Sequence, residues 1–132
     1  MEPLKVLVVD DSSSMRAILK KILRLTGLPL AQIFEAGNGL QALELLAQNA
    51  IDLVFVDLNM PEMGGMEFIG RVQSDPKLAN TIPIIVVSTE SSQTRIDEIL
   101  AKGMGFIHKP FTPEQVCEKV RTVMGGASHG SE

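Results

Sequence analysis

The sequence has no tryptophan and no tyrosine, and its aromatic rings are limited to five phenylalanines. That removes the usual stacking platforms for nucleic-acid bases and for a flavin ring. It has one cysteine, Cys117, so no internal disulfide can form, which fits a reducing compartment. No run of lysines and arginines occurs, and the formal net charge is −4. A nucleic-acid partner is therefore not expected. Long apolar runs are missing too. Glu2 follows Met1, and the first hydrophobic stretch is too short for a signal segment or a membrane-spanning helix. The expected setting is the cytoplasm, away from membranes.

What the sequence does have is enough apolar material for one ordinary domain. It is 132 residues long, 45% hydrophobic and 21% charged, neither disordered nor membrane-embedded in character. Short β-branched runs alternate with longer stretches of helical period. The strand-like runs are Lys5–Val9, Ile33–Ala36, Leu53–Val56, Ile84–Val87 and Phe106–His108. Leu53–Val56 and Ile84–Val87 are apolar throughout, as strands covered on both faces should be. In the first helical stretch, Met15, Ile18, Leu19, Ile22 and Leu23 fall on one face. Further helices are predicted from about Gly39 to Gln48, Met66 to Gln73 and Ser92 to Ala101. The fifth opens with "TPEQ", where Thr112 suits an N-cap, Pro113 the first helical position and Gln115 a capping box. Gly27 and Gly103 follow two of the helices as stop signals. A β-α unit repeated five times implies an α/β fold: a doubly wound parallel sheet of five strands with helices on both faces.

In such a sheet the functional loops lie beyond the carboxyl ends of the strands. Asp10 and Asp11 follow the first strand, and Asp57, Asn59, Met60 and Pro61 follow the third. Ser88, Thr89 and Glu90 close the fourth, and Lys109 and Pro110 the fifth. Clustered carboxylates repel each other at a partly dehydrated site, and a divalent cation relieves that conflict. Oxygen ligands without nearby His or Cys suit Mg²⁺, which shares its coordination with phosphate oxygens. Lys109 suits a phosphoryl oxygen as a point charge, and Ser88 suits another as a hydrogen-bond donor. Asp57, central in the sheet, is the candidate nucleophile for a phosphoryl group.

Four segments, "VVDDS", "VFVDLNMPEMGG", "PIIVVSTE" and "HKPF", follow one another in the order, and at close to the spacing, of one known family. In these the chain resembles the receiver domain of two-component response regulators, especially the single-domain chemotaxis type. The resemblance covers Leu4 to Met124. It implies a flavodoxin-like sheet of strand order 2-1-3-4-5, with a receiver domain over residues 1–124 and a flexible tail over 125–132. It implies that Asp57 accepts phosphate from a phosphohistidine on a sensor histidine kinase. It implies Mg²⁺ ligation by the side chains of Asp11 and Asp57, the backbone carbonyl of Asn59 and, through a water, Asp10. Lys109 would pair with the acyl phosphate and, before it forms, with Asp57. Ser88 and Phe106 would be the switch pair, and Asn59, Thr89 and Glu90 would tune phosphoryl lifetime. The Lys109–Pro110 bond would be cis, and Gly65 would open the turn after the phosphorylation loop.

Two features depart from the family pattern: Phe106 stands where tyrosine is commoner, and "GMGFIHKP" is one residue short between its first glycine and Lys109. With no further domain after the last helix, output would pass by protein–protein contact. The surface would be the fourth helix, fifth strand and fifth helix, and the target a flagellar switch protein. An alternative is a phosphorelay intermediate that hands its phosphate to a histidine phosphotransferase. On the same sheet, a flavin-binding electron carrier is disfavoured by two acids where a phosphate loop belongs. A Mg²⁺ phosphatase is disfavoured by adjacent acids where that class carries D-x-D. No enzymatic turnover is expected beyond self-phosphorylation and self-dephosphorylation. Taken singly, the same residues have plainer readings. Asp10 could cap the first helix, Met60, Met63 and Met66 suit packing, and Cys117 suits a packed thiol. His108 reads as a solvated side chain, and His129 has no specific role.

Overall fold

The computed structural model describes residues 2–60, 62–78 and 81–129. Five strands alternate with five helices: β1 (Leu4–Val9), α1 (Ser13–Leu25), β2 (Leu30–Ala36), α2 (Gly39–Gln48) and β3 (Leu53–Val56), then α3 (Gly65–Ser74), β4 (Ile84–Ser88), α4 (Gln93–Ala101), β5 (Gly105–His108) and α5 (Pro113–His129). The sheet is parallel, with strand order β2-β1-β3-β4-β5. This is the doubly wound, flavodoxin-like arrangement.

The two-residue period of the strands sorts side chains onto two cores. Leu7, Val9, Val54, Val56, Ile84 and Val86 face α2, α3 and α4, where they meet Leu46, Phe68, Ile69 and Ile99. Val6, Val8, Leu53, Phe55, Ile85 and Val87 face the other way, onto Leu19 and Leu23 of α1 and Val116 and Val120 of α5. Burial on both faces explains why β3 and β4 read as uninterrupted apolar runs.

Helix starts are set by side-chain caps. Ser12 Oγ accepts from the Met15 amide, Asn38 Oδ1 from Gln41 and Ser92 Oγ from Arg95. The capping box of "TPEQ" is formed reciprocally: Thr112 Oγ1 accepts from the Gln115 amide and Gln115 Oε1 from the Thr112 amide. Gly27 and Gly103 have φ of +79° and +84°, the left-handed geometry that stops a helix. The short stretch before β5 is absorbed here. Gly103 turns directly after α4, and Met104 is buried before the strand begins.

Two boundaries differ from the sequence expectation by more than one residue. β2 begins at Leu30 rather than Ile33, because an edge strand carries exposed Ala31 and Gln32 that break the apolar signal. The backbone of α5 continues to His129, past the expected domain end at Met124 and through Gly125 and Gly126, which read as a stop in the sequence. The remainder of the expected tail, residues 130–132, lies outside the described residues.

The turn from β3 into α3 is unusually close. A Cβ on Gly65 would sit 2.4 Å from the Asp57 carbonyl oxygen and 2.7 Å from the Leu58 Cα. Both are backbone atoms, so no side-chain rotation relieves the clash. Gly65→Ala is expected to lower unfolding stability by roughly 1–3 kcal/mol, as overpacking does. Urea denaturation reads this, and an unchanged midpoint would contradict the tight approach.

Candidate functional site

The three acids arrive at one end of the sheet because β1 and β3 are parallel neighbours that end together. Val9 pairs with Val56, and the Asp57 amide donates to the Val9 carbonyl at 2.9 Å. Asp10 and Asp57 therefore sit side by side, each less than a tenth exposed. Asp11 lies on the solvent side. Carboxylate oxygens of Asp10, Asp11 and Asp57 all lie within 4.8 Å of one another. Such a compact set of oxygen donors fits a hard divalent cation of the Mg²⁺ kind. Asn59 is exposed on the loop that follows Asp57.

Lys109 reaches this cluster from β5 across the sheet. Its amide donates to the Ser88 carbonyl, and its Nζ lies 3.4 Å from Asp57 Oδ1 and 3.5 Å from Asp10 Oδ2. Both contacts are longer than a tight charge-assisted hydrogen bond. One ammonium is thus shared between two buried carboxylates without being committed to either. The Lys109–Pro110 peptide is cis, as the resemblance implies.

Burial pushes the Asp57 carboxyl above the ordinary carboxylate range. The Lys109 charge pulls it back, and the charges of Asp10 and Asp11 push it up again. Desolvation wins because one loosely held ammonium faces three acids.

Ser88 is fully buried at the end of β4, and its Oγ accepts from the Glu90 amide at 3.0 Å. Glu90 in turn accepts from the Ser92 amide at the start of α4. The hydroxyl is therefore linked by two short hydrogen bonds to the α4 N-cap. Thr89 is exposed between them. Phe106 is half-buried and packs against the core on the α4 side. Its ring centroid lies 6.4 Å from that of His108, two residues along the same strand. Pro61 lies outside the described residues.

Several contributors carried no distinct sequence signal. Met15, Leu19 and Phe111 wall the small cavity beneath Asp10, Asp57 and Lys109. Phe111 stands in "HKPF", but nothing in the string says that it lines the same cavity as the lysine. Glu62 has φ of +68°, strained for a residue with a side chain. Asn38 Nδ2 donates to its carboxylate at 3.2 Å, tying the loop before α2 to the loop after β3. Asp10 does not cap α1 itself. Its Oδ1 accepts from the Ser12 amide, and Ser12 is the cap. Cys117 is a half-buried thiol whose Sγ lies 3.7 Å from the Thr26 carbonyl oxygen, away from the acids.

Comparison with known proteins identifies the family. The profile of the response regulator receiver domain matches residues 6–121. A chemotaxis protein CheY homolog of Campylobacter jejuni is 40% identical over 127 residues, covering 95% of each chain. Chemotaxis protein CheY1 of Helicobacter pylori is 41% identical, covering 92% of this chain and 98% of its own. The solved structure of chemotaxis protein CheY4 of Vibrio cholerae superposes with a TM-score of 0.79 at 33% identity. It covers 92% of this chain and 98% of its own. The chain belongs to the response regulator receiver domain family, and its relatives include chemotaxis regulators of the CheY type. Among the described residues, no helix is long and apolar enough to cross a membrane.

The raised Asp57 carboxyl has a consequence for stability. A group that binds its proton more tightly when folded favours folding at low pH, and that advantage is lost as pH rises through its folded value. Ionised Asp57 therefore costs stability at neutral pH without a divalent cation. Asp57→Asn should raise the urea midpoint at pH 7 in chelator, and the gain should shrink as pH falls toward the ordinary carboxylate range. A lower midpoint for the variant at pH 7 would contradict the stated cause.

Proposed function

We propose that the protein is a phosphorylation-activated switch of a two-component system, serving chemotaxis. Asp57 is the phosphoacceptor. A carboxylate oxygen attacks the phosphorus of a phosphohistidine on a sensor histidine kinase. The new P–O bond forms as the P–N bond breaks, and the imidazole leaves. The single observation that supports this best is the meeting of Asp57 with Lys109 and two further acids at one sheet edge.

Mg²⁺ is the expected cofactor, held by Asp10, Asp11 and Asp57 with the Asn59 carbonyl; when bound it neutralises the acids and the phosphoryl oxygens. Lys109 releases its shared hold on Asp10 and Asp57 and binds a phosphoryl oxygen. Ser88 turns its hydroxyl to another, which gives up its bond from the Glu90 amide and so loosens the connection to α4. Phe106 packs into the space Ser88 leaves. The phosphoryl group thus biases an equilibrium between two packings, in proportion to its preference for one of them. Water later attacks the acyl phosphate, releases phosphate and restores the carboxylate. Asn59, Thr89 and Glu90 border that approach and set its rate. Beyond accepting and losing phosphate the protein turns over no substrate. Output passes through α4, β5 and α5 to a flagellar switch protein.

Incubation with acetyl phosphate and Mg²⁺, followed by intact mass, tests this reading. One added phosphoryl group is expected, absent in Asp57→Asn and in chelator. No added mass in the unaltered protein, or a persistent one in Asp57→Asn, would overturn it. Retention of the phosphorylated form by a histidine phosphotransferase, and not by a flagellar switch protein, would reassign the output to a phosphorelay.

A further inference from the structure

Asp10 is held at every polar atom. Its amide donates to the Ala36 carbonyl at 3.1 Å, its Oδ1 accepts from the Ser12 amide and its Oδ2 faces Lys109. Its backbone carbonyl oxygen accepts from Arg16 Nη1, one turn into α1. The same guanidinium donates from Nε to Glu35 Oε1 on β2 at 3.0 Å. Glu35 is held in turn by Lys20, whose Nζ lies 2.8 Å from Oε2. Arg16 is only 18% exposed, and its Nη1 also lies against Gly37, where an added Cβ would come within 3.7 Å.

We infer that Arg16 is a positioning residue for the cation end of the site, acting through the Asp10–Asp11 peptide it holds by the Asp10 carbonyl. The inference rests on the Mg²⁺ reading above. A planar fork with separate donors can grip the carbonyl and Glu35 at once, which a point charge does less well. Glu35 fixes the fork from the β2 side, and the salt bridge to Lys20 keeps that carboxylate ionised and oriented. The Asp10 carbonyl belongs to the peptide that leads into Asp11. Fixing that plane fixes the direction in which the Asp11 carboxylate leaves the chain. Without it the exposed Asp11 would sample more orientations, and the three acids would meet less often.

Charge and position make opposite demands on Arg16, which gives a test by sign. Arg16 brings positive charge toward a cation site, so as a mere charge it weakens Mg²⁺ binding. Its removal would then tighten binding. As a positioning group its removal loosens binding, and loss of a group that orients metal ligands typically costs about 10–100-fold in affinity. Titration calorimetry of the full chain with Mg²⁺ reads the difference. Arg16→Met is expected to raise the Mg²⁺ dissociation constant about tenfold or more. Lys21→Met, which removes a positive charge from the exposed side of α1 outside the Arg16–Glu35–Lys20 network, should leave it unchanged or slightly lower. Arg16→Gln, polar enough for a partly exposed seat, repeats the test should Arg16→Met unfold. Phosphorylation by acetyl phosphate should recover in the Arg16 variants at saturating Mg²⁺, since the defect lies in cation capture. A folded Arg16 variant that binds Mg²⁺ as tightly as the unaltered protein, or more tightly, would overturn the inference. An unaltered protein that binds no Mg²⁺ would instead overturn the functional reading beneath it.

Discussion

One ammonium held between two carboxylates organises the functional end of this molecule. Lys109 Nζ stands 3.4 Å from Asp57 and 3.5 Å from Asp10, at the meeting point of three strands. Parallel pairing makes this contact possible. β1 and β3 end in register and deliver two acids side by side, and β5 brings its lysine past β4 to meet them. The attraction offsets only part of what burial costs. Asp57 keeps a raised carboxyl, and the site holds more negative charge than its single lysine answers. A site left in electrostatic conflict is poised for a cation and an anion together, because each relieves what the other would worsen.

The rest of the fold keeps that conflict in place. Two apolar cores clamp the sheet from both sides, so the strand ends cannot spread to separate their charges. Gly65 lets α3 begin directly against the Asp57 carbonyl, and Asn38 steadies the strained Glu62. The cavity under Lys109 is walled by Met15, Leu19 and Phe111, so the lysine stem runs through apolar surroundings while its head meets acids. Ser88 and Phe106, the proposed switch pair, lie toward α4. Ser88 is joined by two hydrogen bonds through Glu90 to the α4 N-cap, and half-buried Phe106 lies beside α4. A change at the acids thus has a short physical route to the α4 side of the molecule.

Much of this was legible in the residue order. β3 and β4 announced themselves because burial on both faces demands unbroken apolar runs, and "TPEQ" because a capping box needs those residue types at that spacing. The acids, Ser88 and Lys109 were legible as a set because topology sends every strand's carboxyl end to one edge. What escaped was what depends on tertiary neighbours. The first residues of β2 carry an edge strand's mixed pattern, and Gly125 and Gly126, which read as a stop after Met124, are carried inside α5. Phe111 and Arg16 look like any residues of their type until the structure shows what they touch. Arg16 bonds a backbone carbonyl, and no pattern of side chains encodes that.

The central claim is that residues from separate segments make one cation site. Paramagnetic broadening by a trace of Mn²⁺, followed in the amide spectrum, tests it most directly. The amides of Asp10, Asp11, Asp57, Asn59 and Lys109 should fade together and first, and excess Mg²⁺ should restore them. Broadening spread over the other acidic surfaces, with these five spared, would contradict the account.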